Sequence, residues 1–143
     1  MPNDPVLVDT SAWIFALRKD FLPEIKDRVA LLLGENLVIT TGIIRLELLG
    51  VTRSEAEYDR LKEHLSGLES IESDESLWDM ACEIGFKLRR KGITVPYTDI
   101  LISACALSNG CMVLHADDHF DLMAKYIGLK CESFVEEVRK IKK

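Results

Sequence analysis

Short apolar runs alternate along the chain with longer segments whose apolar residues recur every three or four positions. "PVLV", "NLVIT", "LESIE", "CMVLH" and "LKCES" predict strands at residues 5–8, 36–40, 68–72, 111–115 and 129–133. The first and fourth are nearly continuous apolar runs, as expected of strands covered on both faces. "VLVDTSAW" at 6–13 carries the first strand straight into Asp9, with Thr10 and Ser11 placed to begin a helix. "SEAE" at 54–57 is a capping-box pattern that opens a helix running toward Leu65. Leu77, Ala81, Ile84 and Leu88 share one helical face, which Trp78, Cys82 and Gly85 widen. "ILISACAL" at 100–107 is apolar almost all round and predicts a central helix, stopped by "NG" at 109–110. A last periodic helix covers roughly residues 133–141, with "RKIKK" expected to be solvated. This alternation implies a mostly parallel sheet between helical layers, a three-layer α/β/α fold.

Composition narrows the class. A chain of 143 residues, 48% hydrophobic and 29% charged, suits one soluble domain spanning 1–143. No apolar run approaches the ~20 residues of a membrane span. The start, "MPNDPVLVD", has neither a basic n-region nor a cleavable apolar stretch, so a cytoplasmic protein is expected. Cys82, Cys105, Cys111 and Cys131 show no CxxC or zinc-type spacing and are expected to be small buried side chains in a reducing compartment. The net charge of −6 argues against a general nucleic-acid coat protein, which is usually basic. It leaves room for a nuclease, whose metal site is itself built of carboxylates.

Four acids then stand out. Ligands of open parallel sheets bind beyond the carboxyl ends of the strands, near the point where strand order reverses. Asp9 follows the first strand and Asp117 follows the fourth. For Asp9, capping the next helix is an equally good reading. Glu47, in "TTGIIRLELLGV", has Ile43, Ile44, Gly50 and Val51 as its helical neighbours, a costly setting for an unpaired charge. Arg45 lies nearly opposite on that helix. Asp99 opens the most apolar helix, where it would also complement the helix dipole. Gathering such carboxylates is repulsive, and a hard divalent cation such as Mg²⁺ or Mn²⁺ removes the conflict. The residues alone reach no further than an acidic metal site.

"LVDTSAW", "RLELLG", "PYTDILISACA" and "VLHADDHF", in this order, resemble the motifs of the PIN-domain ribonucleases. The compact length is similar to that of VapC-type toxins of toxin–antitoxin pairs. The resemblance covers essentially the whole chain and implies a PIN-like fold. It implies that Asp9, Glu47, Asp99 and Asp117 are the catalytic, metal-binding acids, with Mg²⁺ as cofactor and Mn²⁺ as a substitute. It gives Ser11 a role in supporting the metal or its water. Thr10 matches a small polar position, and capping the first helix is an equally good reading of it. His115 stands where many relatives have Thr or Ser. His119 stands where an Asp or a His occurs; as a supporting residue it could touch substrate or assist a proton transfer, and a rim or helix-start residue is the better reading. Fewer carboxylates then remain for a second ion.

The implied reaction is hydrolysis of RNA by in-line attack of water, leaving a 3′-hydroxyl and a 5′-phosphate. Neither His115 nor His119 is required as its base, and His64 is expected at the surface. RNA would be led in by cations among Arg18, Lys19, Arg45, Arg53, Lys87, Arg89, Arg90 and Lys91, although the last four also suit a solvated helix C-terminus. The resemblance further implies a homodimer and a small VapB-like antitoxin whose helix packs into an apolar groove near Trp13, Ile14, Phe15 and Leu17. An RNA-processing PIN nuclease would carry the same acids, and a non-cleaving regulatory module could share the fold. A haloacid-dehalogenase-type phosphotransferase needs a second acid two residues after the first, where Ser11 stands. A receiver domain needs an acidic pair and a middle-strand Asp, which "NLVITTG" does not offer.

Overall fold

A computed structural model describes residues 4–18 and 22–141. In chain order the elements are β1 (Val6–Val8), α1 (Thr10–Leu17), α2 (Pro23–Gly34), β2 (Val38–Thr41), α3 (Gly42–Leu49), α4 (Glu55–Ser66) and β3 (Glu69–Ile71). They continue through α5 (Glu75–Arg90), α6 (Tyr97–Asn109), β4 (Met112–His115), α7 (Asp118–Ile127), β5 (Cys131–Ser133) and α8 (Val135–Ile141). The five strands form one all-parallel sheet in the order β3-β2-β1-β4-β5, flanked by helices. The predicted α/β/α class and the five predicted strands are therefore present.

The registers centre on β1. Leu7 pairs with Ile39 on one side and Val113 on the other. The chain builds outward from β1 through β2 to β3, then returns to β1's other side with β4 and β5. Strand order thus reverses between β1 and β4, where such sheets leave a crevice at their carboxyl edge. Val6, Leu7, Val8, Val113 and Leu114 are all buried, so alternation is absent and the apolar runs are continuous.

Helix α6 packs at the centre. Ile100, Leu101, Ile102, Ala104, Cys105 and Ala106 are all buried, and Gly110 ends the helix in the left-handed conformation at φ 63°. Residues Leu77, Ala81, Ile84 and Leu88 of α5 are buried as their spacing predicts. Trp78 and Cys82 depart from that reading. Both are exposed, and with Gly85, Phe86 and Tyr97 they line an apolar hollow of about 460 Å³ between α5 and α6. The buried-thiol reading holds for Cys105 and Cys111; Cys131 is half-buried.

Two helices lie outside the predicted set. Helix α2 begins with Pro23 at its first turn and buries Ile25, Val29 and Leu32, while α7 buries Phe120 and Met123. Strand β2 starts two residues later than predicted because Asn36 takes φ 61° and Leu37 N–H donates back to Leu32 O. Ser133 belongs to β5, so the last helix begins at Val135. Ser54 does cap α4, accepting from Glu57 N–H at 3.1 Å, but Glu57 reaches back to Arg53 N–H.

Candidate metal centre at the carboxyl edge of the sheet

The crevice between β1 and β4 is pinned by its own backbone. Asp9 N–H donates to Leu114 O at 2.9 Å, which carries the ladder one step past β1. The chain then turns into α1, and Asp9 caps that helix: its Oδ2 accepts from Ser11 N–H at 3.0 Å. Ser11 Oγ donates to the same oxygen at 2.6 Å and accepts from Ala116 N–H at 2.9 Å. One hydroxyl therefore ties the Asp9 carboxylate to the end of β4. Asp9 thus caps α1 while its carboxylate stands at the crevice.

Thr10 does not cap α1. Its hydroxyl donates to Glu47 Oε1 at 2.8 Å, across 37 positions of sequence, and orients the half-buried acid that α3 presents. Thr41 caps α3 by accepting from Ile44 N–H, and Ile44 and Leu48 anchor the helix in the core on either side of Glu47. Arg45 donates to Ser70 Oγ on β3 instead of pairing with Glu47.

Asp99 enters from the first turn of α6 and Asp117 from the N-cap of α7. His119 brings them together. Its Nδ1 lies 3.1 Å from Asp99 Oδ2 and 3.1 Å from Asp117 Oδ1, and its backbone N–H donates to Asp117 Oδ1 at 2.9 Å. Donor atoms of Asp99, Asp117 and His119 all lie within 4.8 Å of one another.

The electrostatics join the two halves. Burial pushes the Asp99 carboxyl up to about 6, helped by the charges of Asp9 and Asp117 and opposed by His119. Burial likewise raises Asp9, against its bonds to Ser11, with the charges of Glu47 and Asp117 adding to the rise. Each of the four predicted acids thus feels at least one of the others. Asp9 and Asp99 are 3% and 8% exposed, an unfavourable place for two carboxylates without a counter-charge. The oxygens of Asp99 and Asp117 with the His119 imidazole fit a divalent ion, and Asp9, coupled in turn to Glu47, adds negative charge beside them.

His115 stands apart from these carboxylates. It is fully buried, and burial lowers its pKa. Its Nδ1 accepts from Asp117 N–H at 3.2 Å, which leaves the ring proton on Nε2, 3.3 Å from Asp121 Oδ1 but poorly aligned with it. Asp121 accepts in turn from Ser133 Oγ at 2.9 Å. The ring packs at 5.1 Å from Phe120, so a buried side chain sets the backbone that carries Asp117.

The candidate cations spread more widely. Lys87, Arg89 and Arg90 occupy the last turn of α5; Arg90 lies over Phe86 and Lys91 over Tyr126. Lys19 lies outside the described residues, as do the last two lysines of "RKIKK". His64 is exposed, as expected.

The PIN domain family model matches residues 6–126. The chain belongs to the PIN-domain family. Among curated relatives it is 32% identical over 132 residues to ribonuclease VapC18 of Mycobacterium tuberculosis, covering 90% of this chain and 93% of that one. It is 33% identical over 132 residues to ribonuclease VapC51 of the same organism, covering 90% and 92%. Its PIN fold is therefore of the VapC type. A chain in the structure of VapBC2 from Rickettsia felis, bound to a promoter DNA fragment, superposes with TM-score 0.74 at 21% identity, covering 90% of this chain and 98% of that chain. VapC20 of M. tuberculosis, a sarcin–ricin-loop-cleaving toxin, superposes with TM-score 0.63 at 18% identity over 87% and 98% of the two chains. This PIN domain carries all four acids, Asp9, Glu47, Asp99 and Asp117, on one edge of its sheet.

Proposed function

We propose that this chain is a divalent-metal-dependent endoribonuclease and the toxin of a VapBC-type pair. The observation that carries the reading is the convergence of Asp9, Asp99 and Asp117, with Glu47 held beside them by Thr10, at the switch point of the sheet. Relatives named VapC ribonucleases, matched over nine-tenths of the chain, support it.

In this reading the four carboxylates hold Mg²⁺, or Mn²⁺ in its place. A bound ion of this kind supplies polarisation of the scissile phosphate and an acidified water for in-line attack. The protein supplies placement. Ser11 fixes the Asp9 oxygen, Thr10 fixes Glu47, and His115 holds the backbone of Asp117. Such supporting partners typically change metal affinity or activity by about 10–100-fold when removed. The products are a 3′-hydroxyl and a 5′-phosphate. Unpaired RNA suits the open edge, since its phosphates and bases are accessible.

A VapB-like antitoxin is the proposed protein partner. The similar fold of chains in solved VapBC structures supports it. So does an apolar hollow of about 270 Å³ between α1, α2 and α4, lined by Trp13, Leu17, Leu33, Leu61, Leu65 and Leu68, with His64 at its rim. Leu17 and Leu33 are exposed members of this lining and offer apolar surface to an incoming helix.

The test incubates purified, partner-free protein with end-labelled structured and single-stranded RNAs in Mg²⁺, Mn²⁺ or EDTA. Cuts ending in a 3′-hydroxyl, lost in EDTA and in Asp9→Asn and Asp99→Asn, are expected. Cuts ending in a cyclic phosphate, or undiminished in both variants, would overturn the mechanism.

A further inference from the structure

We propose that the His119 imidazole is a nitrogen ligand of the ion held by Asp99 and Asp117, and that it makes the centre select a first-row transition ion over Mg²⁺. The inference rests on the metal-centre reading above and adds the identity of the ion.

The spacing is the first argument. Adjacent corners of an octahedron with bonds of 2.0–2.1 Å are about 3 Å apart, and opposite corners about 4 Å. His119 Nδ1 lies 3.1 Å from an oxygen of each carboxylate, and all three donor atoms fall within 4.8 Å. A ring nitrogen with one hydrogen cannot satisfy both oxygens. Nδ1 is aligned for a hydrogen bond with Asp99 alone, and Asp117 Oδ1 already accepts the His119 backbone N–H. The second close approach is therefore better used by an ion than by a proton.

Placement is the second. The α7 cap fixes residue 119 to residue 117 through that backbone bond, so carboxylate and ring are delivered by the same turn. The other two histidines do not compete. His115 is fully buried, with Nδ1 accepting from Asp117 N–H and Nε2 beside Asp121. His64 is on α4, at the rim of the α1/α2/α4 hollow.

Ligand chemistry supplies the selectivity. Mg²⁺ is a hard ion that takes oxygen and parts reluctantly with water. Imidazole nitrogen adds little for Mg²⁺ and more for the first-row divalent series. Replacing a carboxylate by an imidazole also lowers the negative charge of the centre, which removes part of the purely electrostatic attraction that Mg²⁺ depends on.

The experiment uses the full chain loaded with Mn²⁺ and reads nitrogen coupling by pulsed electron paramagnetic resonance. Calorimetry of Mn²⁺ and Mg²⁺ binding accompanies it. Wild type is compared with His119→Ala and with His119→Asp, which keeps an oxygen ligand. A histidine ¹⁴N signal in wild type, absent from both variants, is expected. The preference for Mn²⁺ over Mg²⁺ is expected to fall about tenfold in His119→Asp. Bound Mn²⁺ without nitrogen coupling, coupling that survives in His119→Ala, or an unchanged ion preference would each overturn the inference while leaving the carboxylate centre intact. Wild-type protein that binds neither ion would remove both.

Discussion

At the scale of single residues, the centre is a set of charges held against their own preference. Asp99 keeps its proton up to about pH 6 because it is buried beside Asp9 and Asp117, whereas its ordinary value is 3.8. The folded, metal-free chain therefore binds this proton where the unfolded chain has released it. Its stability falls as pH rises from roughly 4 to roughly 6, and the full cost stands at pH 7. Asp99→Asn should stabilise the metal-free protein by up to about 3 kcal/mol at pH 7, with the gain fading toward pH 4. Urea unfolding in EDTA across that range measures it, and parallel curves for the two proteins would contradict it. Thr10→Val keeps the shape of the side chain but removes the hydrogen bond to Glu47. Metal affinity should fall roughly tenfold with little change in melting temperature, read by calorimetry. The four acids were legible in the sequence because each sits at an element end or on an apolar face. Thr10 was open between two readings because its partner lies 37 residues away. The contact of His119 with Asp99 spans 20 positions, and no local pattern records it.

At the scale of elements, the apolar runs were the most readable part of the chain. Strands β1 and β4 announced themselves because both faces are covered, and α6 because nearly every face is buried. Ile102, fully buried in α6, lies three positions beyond Asp99 on the same helix. Ile102→Ala should cost 2–5 kcal/mol, typical of a buried large-to-small change, and thermal or urea unfolding measures it. A loss below about 1 kcal/mol would mean that α6 is not tightly packed at the centre of the fold. The exposure of Trp78 and Cys82 was not legible. An apolar residue at the margin of a helical stripe looks the same whether it faces the core or an open hollow. Helix α2 carried its own signals, Pro23 at the start and Ile25, Val29 and Leu32 along one face. Strand ends shifted by about two residues where Asn36 turned the backbone in a way that composition alone does not specify.

At the scale of the whole molecule, a chain of net charge −6 concentrates buried carboxylates at one edge of a parallel sheet. A divalent ion that binds only the folded state should therefore stabilise it. At one hundred times its dissociation constant the gain is about 2.7 kcal/mol, or roughly 10 °C for a domain of this size. Differential scanning fluorimetry with Mg²⁺ or Mn²⁺ against EDTA measures the shift, and an unchanged midpoint at saturating metal would count against a preformed centre. Three surfaces are separate in the fold: the acidic edge, proposed to take RNA, the α1/α2/α4 hollow, proposed for an antitoxin, and the α5/α6 hollow lined by Trp78, Phe86 and Tyr97. Among the described residues no helix is long and apolar enough to cross a membrane.

In the proposed reaction an ion held by Asp9, Glu47, Asp99 and Asp117 acts on the scissile phosphate. The most direct test is single-turnover cleavage of an RNA carrying sulfur in place of a non-bridging oxygen at the cut site. The softer Mn²⁺ tolerates sulfur better than Mg²⁺ does. Wild-type protein should cut this RNA slowly in Mg²⁺ and recover at least about tenfold in Mn²⁺ relative to the unmodified RNA, while Asp99→Asn recovers in neither. An equal sulfur effect in both ions, or cleavage that persists in EDTA, would rule out an ion acting on the scissile phosphate.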